Sequence, residues 1–407
     1  MSMQMLFSLL VVTAVASADL ISDLHLPEQD LDALGLIEYW GYQGEEYIVE
    51  TVDDWLLPMQ RIPRAKNEDP NSDISGKPVV ILQHGIECAS DNFLLNLPHQ
   101  TPGFVFADAG YDVWLPNSRG NTYSSHKNYT RAQPEFWKWT SDEMQLYDIP
   151  AVFDVIENVT GQSSFYYIGH SQGTYLMFAK LADDPSFASR VKKFFALGPA
   201  VQFRDLKGPF KTICETELAF PKAWSDFAWS EFGLGFLSQQ NVDLLSLLTC
   251  SVPPIQREYC SKVYYWFTGP STTINVTRMP IFLNHIPAGV NVATVQKYCA
   301  STDPVSGGFQ WYRFPTAAEN IARYGSVDPP YYNLTKMDVP LYLYSCPNDY
   351  LTTLANLEHD ILPHLKPGIL KEDNRYPGYA HMDFIWGLNS TELVYNKIIN
   401  VINADYN

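Results

Sequence analysis

The chain has 407 residues, 46% of them hydrophobic, enough for one large buried core carrying an insertion. Lys and Arg number 27 against 45 Asp and Glu, a net charge of −18. Such a field repels phosphate backbones and anionic membrane surfaces, which argues against a nucleic-acid partner.

The opening, MSMQMLFSLLVVTAVASADL, holds a ten-residue apolar core from Leu6 to Val15 followed by Ala16-Ser17-Ala18, the small-x-small pattern of a cleaved secretory signal. It predicts a signal peptide over residues 1–18 and a mature chain from Asp19; the apolar core is too short to cross a bilayer. No later run is apolar enough to span a membrane either, so no transmembrane segment is expected in the mature chain. Sequons at Asn128, Asn158, Asn275, Asn333 and Asn389 fit passage through the secretory pathway, to the lysosome lumen or to secretion. Six cysteines, at 88, 214, 250, 260, 299 and 346, show no paired CxxC spacing for zinc, and no metal is expected.

A polar loop, QRIPRAKNEDPNSDISGKP, runs from Gln60 to Pro78, after which buried-strand patterns alternate with helical ones. Strands are predicted in PVVILQHG, YDVWLPNSRG, FYYIGHS, VKKFFALGP and VPLYLYSCPND, and helices in DEMQLYDIPAVFDVIENV and GTYLMFAKLADD. That order predicts an α/β fold with a mainly parallel central sheet covered by helices on both faces. The rhythm breaks between Arg204 and Tyr331, where aromatics crowd AWSDFAWSEFGLGFL and YYWFTG. The chain therefore divides into a first core part at 19–203, an inserted, mostly helical cap at 204–331, and a second core part at 332–407. Within the insertion Phe227, Trp229, Phe232, Phe236 and Leu237 line an acyl channel or a lid face in one reading, and only build the cap's own core in the other.

In FYYIGHSQGTYLMFAKLA a serine stands between two glycines, directly after an apolar run and before a helical one. A serine at the tip of a sharp strand-to-helix turn needs small neighbours, which Gly169 and Gly173 supply, and the turn exposes the Ser171 hydroxyl as a nucleophile. A hydroxyl needs a base, and the base an orienting acid, in the chain order Ser, Asp, His. Asp349 follows a predicted strand and so lies at the same sheet edge as Ser171, whereas Asp338 precedes that strand and lies at the other. His381, in the Pro- and Gly-marked loop RYPGYAHMDFIW, is the candidate base; His359 and His364 read as surface or packing residues. The oxyanion needs two donors, expected to be the backbone N–H groups of Gln172 and Ile86, with His84 ordering the loop.

The stretches LQHGIECASDNF, ADAGYDVWLPNSRGNTY, EFWKWTSDEMQLYDIPA, YYIGHSQGT, PPYYNLTKMDVP and AHMDFIWGLN resemble the acid lipase family, typified by gastric and lysosomal acid lipases. The resemblance covers nearly the whole mature chain, from IEYWGYQGEEYIVET onward, and departs from the family pattern at SCPNDY and KTICETELAFPKAW. It implies the α/β-hydrolase fold, Ser171, Asp349 and His381 as the catalytic triad, oxyanion donors at Ile86 and Gln172, and a lidded cap. It also implies a cap disulfide between Cys250 and Cys260; the sequence leaves open whether Cys88, Cys214, Cys299 and Cys346 pair or stay buried thiols. The implied activity is hydrolysis of triacylglycerols or cholesteryl esters at an oil–water interface, at acidic pH and without a cofactor. The alternatives are an esterase for small soluble esters and a fatty-acyl carrier or signalling protein using the same pocket.

Overall fold

Strands buried on both faces carry apolar residues at consecutive positions, and alternate residues then belong to opposite cores. The structure, a computed structural model, describes residues 26–220, 260–303, 305 and 307–406, together with the backbone of 235–236. The predicted signal peptide, Cys250, Phe227, Trp229, Phe232, Leu237 and the Phe236 side chain lie outside the described residues.

The strands are β1 (Glu45–Glu50), β2 (Trp55–Ile62), β3 (Val79–Gln83), β4 (Asp112–Pro116), β5 (Ser125–His126), β6 (Phe165–His170), β7 (Val191–Leu197), β8 (Gly235–Phe236), β9 (Val290–Asn291), β10 (Leu341–Ser345) and β11 (Leu370–Arg375). Nine of them form one sheet in the order β1-β2-β4-β3-β6-β7-β10-β11, with β5 beside β2; β8 and β9 pair separately. From β4 through β11 every pairing is parallel, while β1 and β5 pair antiparallel to β2, and β2 antiparallel to β4. Ile81, Trp114, Tyr167, Phe194 and Leu343 point into one core, under the helices Ile149–Thr160 and Gln172–Asp183. Their neighbours Val80, Val113, Ile168, Phe195 and Tyr344 point into the other, beneath Ala33–Tyr39, Pro102–Asp108 and Asn396–Asn403. The sheet is thus covered on both sides, as an α/β-hydrolase fold requires.

The five predicted strands are β3, β4, β6, β7 and β10. The sequence reading misses β1, β2, β5, β8, β9 and β11, and the polar loop starts three residues later than the expected Gln60, because Gln60–Ile62 complete β2. β1 and β11 are the sheet edges, with burial alternating along them rather than continuous, and Lys371, Glu372, Asp373, Asn374 and Arg375 make β11 read as a loop.

β7 and β10 are direct neighbours, Phe194 opposite Leu341, so the insertion leaves and re-enters the sheet between two adjacent strands. Its described helices include Gly208–Ala219, Ser261–Thr268, Met279–His285, Val292–Ala300 and Ala317–Tyr324. A buried Lys297–Asp142 ion pair ties Val292–Ala300 to the core. A Cys214–Cys299 disulfide joins the first of these helices to the fourth, a pairing that the sequence leaves open; Cys88 and Cys346 are buried thiols.

Candidate active site

β6 ends at His170 and the next helix begins at Gln172, so the chain reverses at the single residue between them. Ser171 makes that reversal at φ 53°, ψ −117°, a conformation that costs a residue with a side chain roughly 1–3 kcal/mol. The surroundings hold it there. The Ser171 N–H donates to the carbonyl of Leu197 at the end of β7 (2.9 Å), and its own carbonyl accepts from the N–H (2.8 Å) and Oγ1 (2.7 Å) of Thr174. Both glycines of the motif are spatial necessities. A Cβ on Gly173 would fall 2.3 Å from the Gln83 carbonyl oxygen, and one on Gly169 2.7 Å from the Gly173 carbonyl carbon. Helix, β6 and the end of β3 therefore pack backbone against backbone, which sets the loop after β3 beside the serine.

On that loop Ile86 lines the same cavity as Ser171 and Gln172. Gln172 opens its helix, so its N–H has no acceptor within the helix. His84 fixes the loop from behind: Nδ1 donates to the Gly85 carbonyl (2.8 Å) while Nε2 accepts from the Ser118 N–H (3.1 Å). Burial lowers its pKa to about 4, so it stays neutral and keeps this donor–acceptor pattern. Ser118 belongs to the NSRGNTY stretch, whose Arg119 is buried against Asp148 and Asp53 (2.6 Å each). His84 is thus a loop-ordering residue, as the sequence suggests.

Asp349 lies on the loop beyond β10, wholly buried. Its Oδ1 accepts from the N–H groups of Leu351 and Thr352 (2.8 Å each), and Oδ2 from Thr352 Oγ1 (2.7 Å) and His381 Nδ1 (2.8 Å). Burial pushes its pKa up, but the His381 charge and the hydrogen bonds from His381 and Thr352 outweigh it and bring it below the usual value. His381 is gripped by its main chain as well: its N–H donates to the Thr268 carbonyl (3.2 Å), and its carbonyl accepts from His170 Nε2 (2.9 Å). A Cβ on Gly198 would meet the His381 ring at 3.3 Å. The imidazole therefore sits against the Leu197–Gly198 turn, whose carbonyl at Leu197 also anchors Ser171. Asp338, by contrast, is exposed before β10 and pairs with Lys366 (2.9 Å), and His359 and His364 are exposed.

A cavity of about 50 Å³ opens at Ser171, walled by Ile86, Phe203, Phe210, Val295, Leu351 and the Cys214–Cys299 disulfide. A larger groove of about 470 Å³, between Tyr147, Asp183, Trp311 and Arg323, does not include Ser171, so chemistry rather than size selects the smaller one.

Three contributors go unassigned in the sequence reading. His170 holds the His381 carbonyl, Thr352 completes the Asp349 cradle, and Tyr298 donates from its hydroxyl to Gln172 Oε1 (3.0 Å). His170 lies inside the quoted Gly-His-Ser-Gln-Gly motif, the one signal that marked it; burial and repulsion from His381 lower its pKa to about 3. Among the sequons, Asn128, Asn158 and Asn333 are exposed and Asn275 and Asn389 half-buried. Among the described residues no group of His, Cys, Asp or Glu is placed to hold a metal ion, and no helix is long and apolar enough to cross a membrane.

Residues 35–97 match the family described as a partial alpha/beta-hydrolase lipase region, and residues 78–230 match the alpha/beta hydrolase fold. The chain is 38% identical over 386 residues to Lipase lipl-1 of Caenorhabditis elegans, covering 93% of each. It is 35% identical over 394 residues to gastric triacylglycerol lipase of Homo sapiens, covering 93% of this chain and 92% of that one. With lysosomal acid lipase/cholesteryl ester hydrolase of Homo sapiens it shares 36% over 380 residues, 92% of each. A crystal structure from Sulfolobus solfataricus, 13% identical with a TM-score of 0.53, covers 89% of this chain and 99% of its own, a likeness of fold alone. Sheet order, strained serine turn and near full-length identity agree: the chain belongs to the acid lipase family, that of the gastric and lysosomal lipases.

Proposed function

We propose that the protein is a serine carboxylic-ester hydrolase that cleaves neutral lipid esters, triacylglycerols or cholesteryl esters, through an acyl-enzyme on Ser171. His381 Nε2, the ring nitrogen opposite the Asp349 bond, takes the hydroxyl proton as Ser171 attacks the ester carbonyl, then delivers it to the departing alcohol. Water, deprotonated by the same nitrogen, attacks the acyl carbonyl and restores Ser171. The Ile86 and Gln172 N–H groups receive the oxyanion, and Asp349 steadies the imidazolium. The observation that carries this reading is the 2.8 Å Asp349–His381 pair lodged against the very turn that fixes the strained serine. The apolar cavity wall and the relatives' lipid substrates support the substrate class.

Residues 204–331 act as the cap in this reading, covering the site and meeting the oil–water interface. Entry to the secretory pathway, glycans on the five sequons, acidic operation in the lysosome lumen or after secretion, and a Cys250–Cys260 bridge belong to the same proposal. Cys260 is disulfide-bonded, which supports the last point.

A second reading, an esterase for small soluble esters, is favoured by the cavity's volume of about 50 Å³, far below that of a long acyl chain. Hydrolysis of emulsified triolein and cholesteryl oleate from pH 4 to 8, with Ser171→Ala as control, decides between them. Turnover that rises above the substrate's solubility limit and vanishes in the variant supports a lipase; turnover confined to dissolved short esters supports the esterase.

A further inference from the structure

Directly after Ile86 stands Glu87, buried and at φ 56°. Its carbonyl accepts from the Ala288 N–H (2.7 Å) and its Oε2 from the Gly289 N–H (2.9 Å), while Oε1 is buried with no hydrogen-bond partner. No cation contacts this carboxyl among the described residues. A carboxyl taken from water on one N–H bond is far better accommodated neutral than charged.

A few residues along the same inserted segment, His285 ends the helix Met279–His285 with both ring nitrogens engaged. Nδ1 lies 3.0 Å from Asp91 Oδ2 and Nε2 2.9 Å from the Glu28 carbonyl oxygen. Two acceptors face two ring nitrogens, and only the imidazolium donates to both. Asp91 in turn accepts from the Tyr123 hydroxyl (2.9 Å) and Asn92 Nδ2 (2.9 Å). Segment 285–289 is thus fastened to loop 87–91 at both ends, at each by a group that fits best with its proton on.

The fastening reaches both sides of the reaction site. Loop 87–91 continues Ile86, and segment 285–289 continues through β9 into the helix Val292–Ala300, whose Val295 and Tyr298 wall the cavity at Ser171. We propose that Glu87 and His285 are proton-dependent positioning residues, which hold the Ile86 donor and the cavity wall in register with Ser171 in acid and release them as pH rises. The inference rests on the hydrolase reading above and assigns to that site a source of acid preference separate from His381.

The surrounding charges agree. Burial raises the Glu87 pKa well above the carboxylate range. Burial lowers that of His285, but the Asp91 hydrogen bond and charge and the Glu28 carbonyl overcome it and the repulsion from Arg278, for a net rise. Arg278 is itself paired with Glu28 (2.8 Å), and burial keeps Cys88, beside Glu87 and Asp91, a neutral thiol. Both folded values exceed the unfolded ones, so the docked state is fully favoured below the unfolded values, 4.5 for Glu and 6.5 for His, and loses that advantage as pH rises through the folded ones. His84 and His170, lowered to about 4 and about 3, oppose this trend, so the difference between variant and wild type is the diagnostic quantity.

The test uses the full chain with Glu87→Gln and His285→Gln, melting temperature and kcat/KM on p-nitrophenyl butyrate being followed from pH 4.5 to 8. The amide introduced by Glu87→Gln keeps the acceptor for Gly289 and cannot ionise, so the alkaline fall of kcat/KM should move up by about one pH unit. His285→Gln should cost most in acid and least at pH 8. In both variants the melting-temperature difference from wild type then rises with pH. Differences that stay flat with pH overturn the proposal. So does an E87Q rate profile that superimposes on wild type while its melting difference changes, because the group then titrates without positioning anything. Should His285→Gln not fold, Glu87→Gln decides alone. Should wild type hydrolyse no ester, the hydrolase reading fails, and the melting differences still decide the proton-linked docking.

Discussion

Replacing Gly173 by alanine tests the backbone packing that sets Ser171 beside its oxyanion loop. The new methyl carbon would lie 2.3 Å from the Gln83 carbonyl oxygen and 3.0 Å from that of His84. Ordinary contact at the first of these needs about 1 Å more, and the neighbours are backbone atoms of β3 and its loop rather than a flexible side chain that could swing aside. Relief therefore pushes residues 83–86 away from the helix that starts at Gln172. Overpacking of this kind costs about 2 kcal/mol, a few degrees in Tm for a chain this large. The same displacement takes the Ile86 N–H, the proposed oxyanion donor, out of reach, so kcat on p-nitrophenyl butyrate should fall about 10²-fold with little change in KM. Gly76→Ala is the control, since a Cβ there meets nothing within 4 Å at a φ of +80°, and it should lose only stability. Calorimetry and steady-state kinetics on the three proteins decide it. A Gly173→Ala enzyme with wild-type kcat would show that the close packing does not govern the oxyanion loop.

Asp349→Asn leaves the His381 ring in place but removes the charge that steadies it, and kcat should drop by about 10⁴ while the far-UV spectrum stays native; a loss under tenfold would contradict the assigned role. His170 has a depressed pKa, about 3, so its stabilising contribution is whole above 6.5 and is lost as pH falls toward the folded value. Between pH 7 and pH 5 wild type gives up about 2 kcal/mol through this residue, and the destabilisation of His170→Gln, read by urea titration, should be smaller at pH 5 by that amount. An equal deficit at both pH values would show that the ring is not held neutral. The Cys214–Cys299 bridge closes a loop of sequence separation 85, so the double alanine variant should lose about 4–5 kcal/mol on the loop-entropy model. Because the bridge also walls the cavity, its KM for long-chain esters should change as well, whereas a shift in Tm alone would make the bridge purely structural.

The parts of the fold legible in the sequence are those where one segment's own pattern suffices. β3, β4, β6, β7 and β10 read as strands because burial on both faces gives each a run of consecutive apolar residues, and the glycines around Ser171 announce a turn that few other residues allow. Asp349 is reached by chain order and by following a predicted strand, whose end fixes the sheet edge its loop occupies, and His381 by chain order and its Pro- and Gly-marked loop. What escapes is whatever depends on a distant partner. β11 is polar at five of its six positions and becomes a strand only because β10 offers it an edge. His170 works through a main-chain carbonyl 211 residues away, which leaves no mark in either segment's side chains. Cys214 and Cys299 sit in helices far apart in the chain and show no spacing that pairs them. The segment 285–289 on loop 87–91 is of the same kind, a contact between two stretches that look like ordinary loops when read alone.

The proposed mechanism depends on one hydroxyl made nucleophilic by its neighbours. Treating the protein with diethyl p-nitrophenyl phosphate and mapping the adduct by peptide mass spectrometry reports on that hydroxyl alone. One diethylphosphoryl group on Ser171, with loss of ester hydrolysis in step with labelling and no adduct in His381→Ala, is the predicted result. Labelling at another residue, or hydrolysis that continues with Ser171 fully modified, would rule that nucleophile out.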